Sequence, residues 1–291
     1  MRPLETFTQH QEAVRQLGYR MLGTLADAED IVQETYLRWS RSGEDSIVAP
    51  RSWLLKTATR LALDRLKSAR CQRETYVGPW LPEPWLVDEN SPADRSELDE
   101  TITMALLHVL DQLSPAERAA FLLHDVFSFS FEEIAEVLDR SSDACRKLAS
   151  RARQNIRHDR PTFNLDPQRH QTLLAAFLRA CQEGDLEGLK DLLSTDVALV
   201  TDGGAKVSAS RKVLRTPDIV GRFFVGIFKK IAADPRAHIA RPVTFNGLPG
   251  LLLEADGIPQ TALCLGVDPE GRIRGIYAQR NPEKLPNFPT R

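Results

Sequence analysis

A stretch of opposed charge constrains this chain most: from Asp27 to Arg73 an acidic helix start, a short polar loop and a strongly basic helix follow one another. Asp27 reads as an N-cap, and Glu29 and Asp30 place negative charge where the helix dipole and free N–H groups favour it. Ile31, Val32, Thr35, Tyr36 and Trp39 recur at helical spacing and form the apolar face, which leaves Asp30, Gln33 and Glu34 on the wet one. After the loop Ser42 to Ala49, Pro50 opens a helix with a buried stripe through Leu54, Ala58 and Leu61. Its other faces carry Arg51, Lys56, Arg60, Arg65, Lys67, Arg70 and Arg73, offset by Asp64 alone. Such a helix faces a polyanion or open water. Ahead of this stretch, Phe7, Val14, Leu17, Met21 and Leu22 predict a first helix ending at Gly23.

At 291 residues the chain exceeds one small core, so two or three domains are expected. The net charge of −2 does not oppose nucleic-acid binding, because the basic residues cluster and local charge decides. Cys71, Cys145, Cys181 and Cys264 form no CxxC pair, so reduced thiols are expected, with no disulfide framework, metal site or cofactor. A polar N-terminus without an apolar h-region, and no run of roughly 20 apolar residues, point to a soluble cytoplasmic protein without a membrane partner.

Residues 76–96 form a linker broken by Gly78, Pro79, Pro82, Pro84 and Pro92 and carrying Trp80, Leu81 and Trp85. Large apolar groups on a free tether are unfavourable, so the linker is expected to dock. An acidic run follows from Glu83 to Glu100. A second helical block begins near Leu98, with Ile102, Leu106, Leu107 and Leu110 as its stripe. Ser114, Pro115 and Glu117 form a capping box that opens a helix through Val126, and Ser130 and Glu133 repeat the box. A turn at Asp139 to Ser141 then leads to a last helix, about Ser142 to Ile156, which predicts a helix-turn-helix. That helix buries Cys145, Leu148, Ala149 and Ala152 and presents Arg146, Lys147, Ser150, Arg153 and Arg157, groups that bind phosphates or guanine edges.

These blocks, in this order, resemble the extracytoplasmic-function sigma factors. DAEDIVQETYLRW (Asp27 to Trp39) is similar to the family's polymerase-binding helix, and WLLKTATRLALDRLKSAR (Trp53 to Arg70) to its promoter −10 helix. LSPAERAAFLLHDVFSFSFEEIAEVL and SSDACRKLASRAR are similar to the domain that reads the −35 element. The resemblance implies that Asp30, Gln33 and Glu34 contact the β′ clamp helices of core RNA polymerase, whose β subunit is a further partner. Promoter DNA would be met by Arg60, Arg65 and Lys67 at −10, and by Arg146, Lys147, Ser150 and Arg151 at −35. Promoter choice does not carry over, because Arg60 stands at a frequent asparagine, Asp139 at a common turn glycine and Arg140 at an apolar position. Capture of a base from the melting duplex, worth a few kcal/mol, is expected in the loop Ser42 to Ala49.

After a polar connector, residues 161–291 change character. Leu173, Leu174, Phe177 and Leu178, then Leu186, Leu189, Leu192 and Leu193, then Ile219, Phe223, Phe224, Ile227 and Phe228 mark three helices. Residues 197–201 are β-prone, and 237–245, 249–255, 260–267 and 272–279 predict four strands. The whole is expected to be multidomain: two all-α domains, 1–75 and 97–160, the second a helix-turn-helix, then an α+β domain. This last part resembles the cone-shaped SnoaL-like (NTF2-like) fold. Three motifs resemble those of sigma factors with such an extension: WLPEP (Trp80, Leu81, Pro82, Glu83, Pro84), DGGAK (Asp202, Gly203, Gly204, Lys206, with Ala205 in place of glycine) and NPEKL (Asn281, Pro282, Glu283, Lys284, Leu285). They imply a regulatory interdomain contact. An apolar cone also admits a small-molecule ligand. Two other functions fit parts of the chain: a SnoaL-like enzyme using Asp202, His238, Asp256 or Asp268, and a ligand-responsive helix-turn-helix repressor, which leaves residues 27–73 unexplained.

Overall fold

The structure, a computed structural model, describes residues 3–42, 47–74, 76–86, 102–159 and 166–285, with side chains omitted at 3, 68–74, 158 and 159. Two compact units emerge, Met1–Thr75 with Leu107–Asp159, and Tyr76–Leu106 with Arg160–Arg291. Most of the acidic run after Glu83 and the centre of the expected base-capture loop, residues 43–46, lie outside the described residues.

The first unit is helical. Helix α1 (Pro3–Leu22) buries Phe7, Val14, Leu17, Met21 and Leu22 on one face. Helix α2 (Leu25–Arg41) starts earlier than the charge pattern predicts, because Thr24 is the N-cap and accepts the Asp27 N–H at 3.2 Å. Asp27 therefore sits in the first turn, where its carboxylate accepts the Thr24 hydroxyl. Helix α3 (Pro50–Glu74) buries Leu54, Leu55, Ala58, Ala62 and Leu66, while Leu61 lies at the edge of the stripe. Trp39 and Trp53 meet edge to face with centroids 5.6 Å apart and join α2 to α3.

Helix α4 (Met104–Gln112) opens where Thr103 Oγ1 accepts the Leu106 N–H, and the helical start expected near Leu98 lies outside the described residues. Helix α5 (Pro115–Phe121) and helix α6 (Phe131–Leu138) both open with complete capping boxes, at Ser114/Glu117 and Ser130/Glu133. The first of these stops short of Val126, where a π-helical turn, Leu122–Val126, takes over. Asp139 ends α6 at φ 52°, a left-handed conformation open to aspartate, and helix α7 (Ser142–Asp159) follows. Arg118 of α5 is 3% exposed; it donates to the Met21 carbonyl of α1 and pairs with Asp111 at 3.2 Å.

In the second unit, helices α8 (Pro167–Glu183), α9 (Leu186–Leu192) and α10 (Pro217–Ala233) cover one face of a six-stranded sheet. The strands are β1 (Leu193–Asp202), β2 (Leu214–Arg215), β3 (His238–Phe245), β4 (Leu248–Ala255), β5 (Ile258–Val267) and β6 (Ile273–Gln279), in spatial order β2-β1-β6-β5-β4-β3. Only β1 and β6 run parallel; register shifts at Leu253/Glu254 and Gly266/Val267 bend the rest. Period-2 alternation sends Leu199, Leu251, Leu263, Leu265, Ile276 and Ala278 under the helices. Leu252, Ala262, Cys264 and Tyr277 go to the opposite face, where they pack with Leu86, Met104 and Leu285. This is the α+β arrangement expected of residues 161–291, with residues 76–86 laid on the back of its sheet.

Candidate functional site

Asp30 and Gln33 of α2 are exposed and Glu34 is half-buried, on the side away from Ile31, Val32 and Trp39. Glu34 pairs with Arg38 at 3.1 Å, one helical turn on. Asp30 and Asp27 both pair with Arg65 of α3, at 2.5 and 2.8 Å. The acidic patch and the basic helix thus meet at one edge, through ion pairs that each contribute at most about 1 kcal/mol in water.

The basic face of α3 meets the first helix of the helix-turn-helix. Lys56 pairs with Glu136 at 2.9 Å, Ser52 donates to Glu133 at 3.2 Å, and Arg60 donates to the Glu136 carbonyl at 3.0 Å. Glu133 is held below the usual carboxylate range, first by the Ser130 N–H of its capping box and further by Ser130 Oγ, Ser52 and Lys56. Lys67 is exposed and pairs with Asp64 at 2.8 Å. On α7, Arg146, Lys147, Ser150 and Arg151 are all exposed along one side. Arg146 pairs with Asp143 and Glu132 and lies over the Phe131 ring, and Arg151 pairs with Glu117 at 2.7 Å. Arg140 is exposed in the turn.

The three motif segments of the second unit converge on Asp202, which has no exposed surface. Its Oδ1 accepts the Tyr76 hydroxyl at 2.5 Å and the Gly204 N–H at 3.0 Å. Its Oδ2 accepts the Leu81 N–H at 2.9 Å, Lys284 Nζ at 2.8 Å and Gln279 Nε2 at 3.3 Å. A carboxylate so surrounded by donors ties together the segments that carry them. Lys284 also donates to the Leu81 carbonyl at 2.8 Å and lies 4.1 Å from the centroid of the Trp80 ring. Gln279 reaches the carbonyls of Leu81 and Pro82, both at 3.2 Å. Leu81 and Pro84 are buried and Glu83 is half-buried.

Asn281 locks the third segment: it donates to the Tyr76 hydroxyl at 3.1 Å and accepts the Glu283 N–H. Pro282 is exposed, Glu283 pairs with Lys206, and Leu285 packs on the back of the sheet. At Gly204 (φ 60°) a Cβ would stand 2.5 Å from the Asn281 side chain, so the motif needs glycine there. Ala205 takes φ 59°, a left-handed conformation in which its Cβ costs roughly 1 kcal/mol. Farther along, Trp85 and Asn246 exchange hydrogen bonds and Leu86 bridges Phe245. Burial, and then the Asp202 carboxylate, raise the Tyr76 hydroxyl above its ordinary pKa.

The candidate catalytic residues do not gather. Asp202 is consumed by the linker; Asp256 sits in a turn at φ 50° accepting the Ala237 N–H, and Asp268 accepts the Arg272 N–H in another turn. His238 alone borders the cavity between α10 and the sheet, 3.1 Å from Asp234. Cys145, Cys181 and Cys264 are free and buried, and no group of three metal-ligating side chains occurs among the described residues. No helix among the described residues is long and apolar enough to cross a membrane. Tyr76 and Gln279 were not singled out by the motifs. Alternation along β6 offered the one sequence signal for Gln279, a polar group opposite buried Ala278.

Residues 6–71 match the Sigma-70 region 2 family and residues 103–156 the Sigma-70, region 4 family. The chain is similar to the ECF RNA polymerase sigma factor SigJ of Mycobacterium tuberculosis, 40% identical over 96% of this chain and 93% of that protein. A second M. tuberculosis relative, named "Probable ECF RNA polymerase sigma factor SigI", is 32% identical over 95% of this chain and 92% of its own length. The fold superposes on the crystal structure of M. tuberculosis extracytoplasmic function sigma factor SigJ with a TM-score of 0.78, at 32% identity, covering 99% of this chain and all of that one.

Proposed function

The chain belongs to the extracytoplasmic-function (ECF) RNA polymerase sigma factors, and from that membership we propose that its SnoaL-like domain governs initiation from within by holding the linker between the two promoter-binding regions. It is a transcription initiation factor that works with core RNA polymerase and promoter DNA, and not an enzyme. In this reading residues 1–75 and 97–160 are the functional regions, 76–96 the linker they share, and 161–291 the regulator, acting together in the cytoplasm. Asp30, Gln33 and Glu34 engage the β′ clamp helices. Arg60, Arg65 and Lys67 serve the −10 element, and Arg146, Lys147, Ser150 and Arg151 the −35 element, while the β subunit is contacted elsewhere.

The observation that carries the regulatory part is the Asp202 junction. One buried carboxylate binds the linker twice, at Tyr76 and Leu81, and the C-terminal segment once, at Lys284. A linker so fixed cannot change length or direction unless those bonds break. Elements centred near −35 and −10 lie about 25 base pairs apart, roughly 85 Å at 3.4 Å per pair. Helices α3 and α6 are in contact in this state, so promoter binding requires them to part and the linker to yield.

The test is reconstitution with purified core polymerase. Wild-type chain forms holoenzyme and directs transcripts from its promoter, whereas the folded triple variant Asp30→Ala, Gln33→Ala, Glu34→Ala binds core at least tenfold more weakly. Undiminished core binding by that variant would remove the polymerase assignment from α2.

A further inference from the structure

Between α10 and the helical face of the sheet lies a cavity of about 570 Å³, lined by Phe223, Ile227, Phe228, Ile231, Leu253 and other apolar side chains. Ligand pockets typically run from roughly 300 to 1,000 Å³, so a small organic molecule fits. The charged groups on its wall differ in one respect. Asp234 pairs with Arg236 at 2.6 Å, Glu254 pairs with Arg241, and Lys230 is exposed to water. Arg280, partly buried, donates to the Ser208 carbonyl but has no carboxylate partner among the described residues. Burial pulls this guanidinium below its ordinary range, a sign that its charge is under-solvated. A partly desolvated fork of N–H donors on the wall of an apolar chamber is complementary to a carboxylate with an apolar tail.

We infer that the cavity binds an apolar carboxylic acid, with its head on Arg280 and its tail among Phe223, Ile227 and Phe228. Arg280 lies between Gln279 and Asn281, which hold the linker from the other side of the strand, and its own N–H donates to the Asp202 carbonyl at 2.7 Å. Occupancy therefore acts on the junction through a single backbone segment. This second step rests on the regulatory reading above, whereas binding itself does not.

The probes are decanoate and decanol, which share a tail and differ in charge, titrated calorimetrically into the full chain without polymerase or DNA. Decanoate should bind at one site, at least tenfold tighter than decanol. Arg280→Met should bring the two within about threefold, Arg280→Lys should keep a preference for the acid, and Phe228→Trp, which fills the chamber, should weaken both. Equal binding of acid and alcohol by wild type, an acid preference that survives Arg280→Met, or no binding of either would overturn the site. Hydrogen exchange at residues 76–86 reads the coupling: decanoate should change it in wild type and leave it unchanged in Arg280→Met. Bound decanoate with unaltered linker exchange would refute the coupling and leave the junction to be judged by transcription alone.

Discussion

Asp202 and Lys284 form an ion pair at 2.8 Å with their side chains 0% and 10% exposed, and the Leu81 backbone completes the triangle. Removing one member of a buried pair strands the other charge, at a cost of about 3–5 kcal/mol. Lys284→Met and Asp202→Asn should each destabilise the C-terminal unit by that order in urea unfolding followed by tryptophan fluorescence. The double variant should lose less than the sum, because its members share one network. Strictly additive losses would mean that the two side chains act separately.

His170 of α8 is 1% exposed, and burial pushes its pKa down to about 4. Its folded value lies below the unfolded 6.5, so the unfolded chain binds the extra proton first. Stability is therefore full above about pH 6.5 and falls as pH drops toward 4, by an amount of order 3 kcal/mol. Thermal unfolding across that window should show the loss, and His170→Phe should flatten it; an equal slope in both proteins would assign the acid sensitivity elsewhere.

Glu136 draws on Lys56 of the basic helix, and Glu133 on Ser52. Breaking exposed contacts of this kind changes free energy by about 0.2–1 kcal/mol, a factor of roughly 1.4 to 5. Glu136→Gln should raise promoter affinity of the holoenzyme by that factor in a filter-binding titration. A lower affinity would indicate that the contact aids the bound state.

Arg146 and Lys147 project from the same exposed side of α7. Replacing both with alanine should weaken promoter binding and reduce the slope of log K against log salt by roughly one per lost phosphate contact. An unchanged slope together with unchanged promoter choice would turn this helix away from DNA.

Local chemistry was legible in the residues. Both capping boxes stand where Ser114 and Ser130 precede glutamate by three, and the four C-terminal strands begin within two residues of their alternating runs. The N-cap of α2 was misread because Thr24 and Asp27 can each cap, and hydrogen-bond geometry, not composition, chooses between them. The buried stripe of α3 runs through Leu54, Ala58, Ala62 and Leu66, at helical spacing, and leaves Leu61 at its edge. Partnership between the linker and the Asp202 loop was implied by the three motifs alone, whereas no period or propensity pointed to Tyr76, 126 residues from Asp202. The cavity was foreseen only as a property of the cone, since the ion pairing of its wall depends on which residues Arg241 and Arg236 meet.

Under the proposed control from within, the linker and the Asp202 junction act as one regulatory unit. Run-off transcription by reconstituted holoenzyme should be compared for wild type, Trp80→Ala, Asp202→Asn and the double variant, each checked for native circular dichroism. Both single variants should change transcript yield in the same direction, and the double should match the stronger single, because residues at one junction couple. Yields equal to wild type, or a double variant equal to the product of the two singles, would contradict control of initiation by this domain.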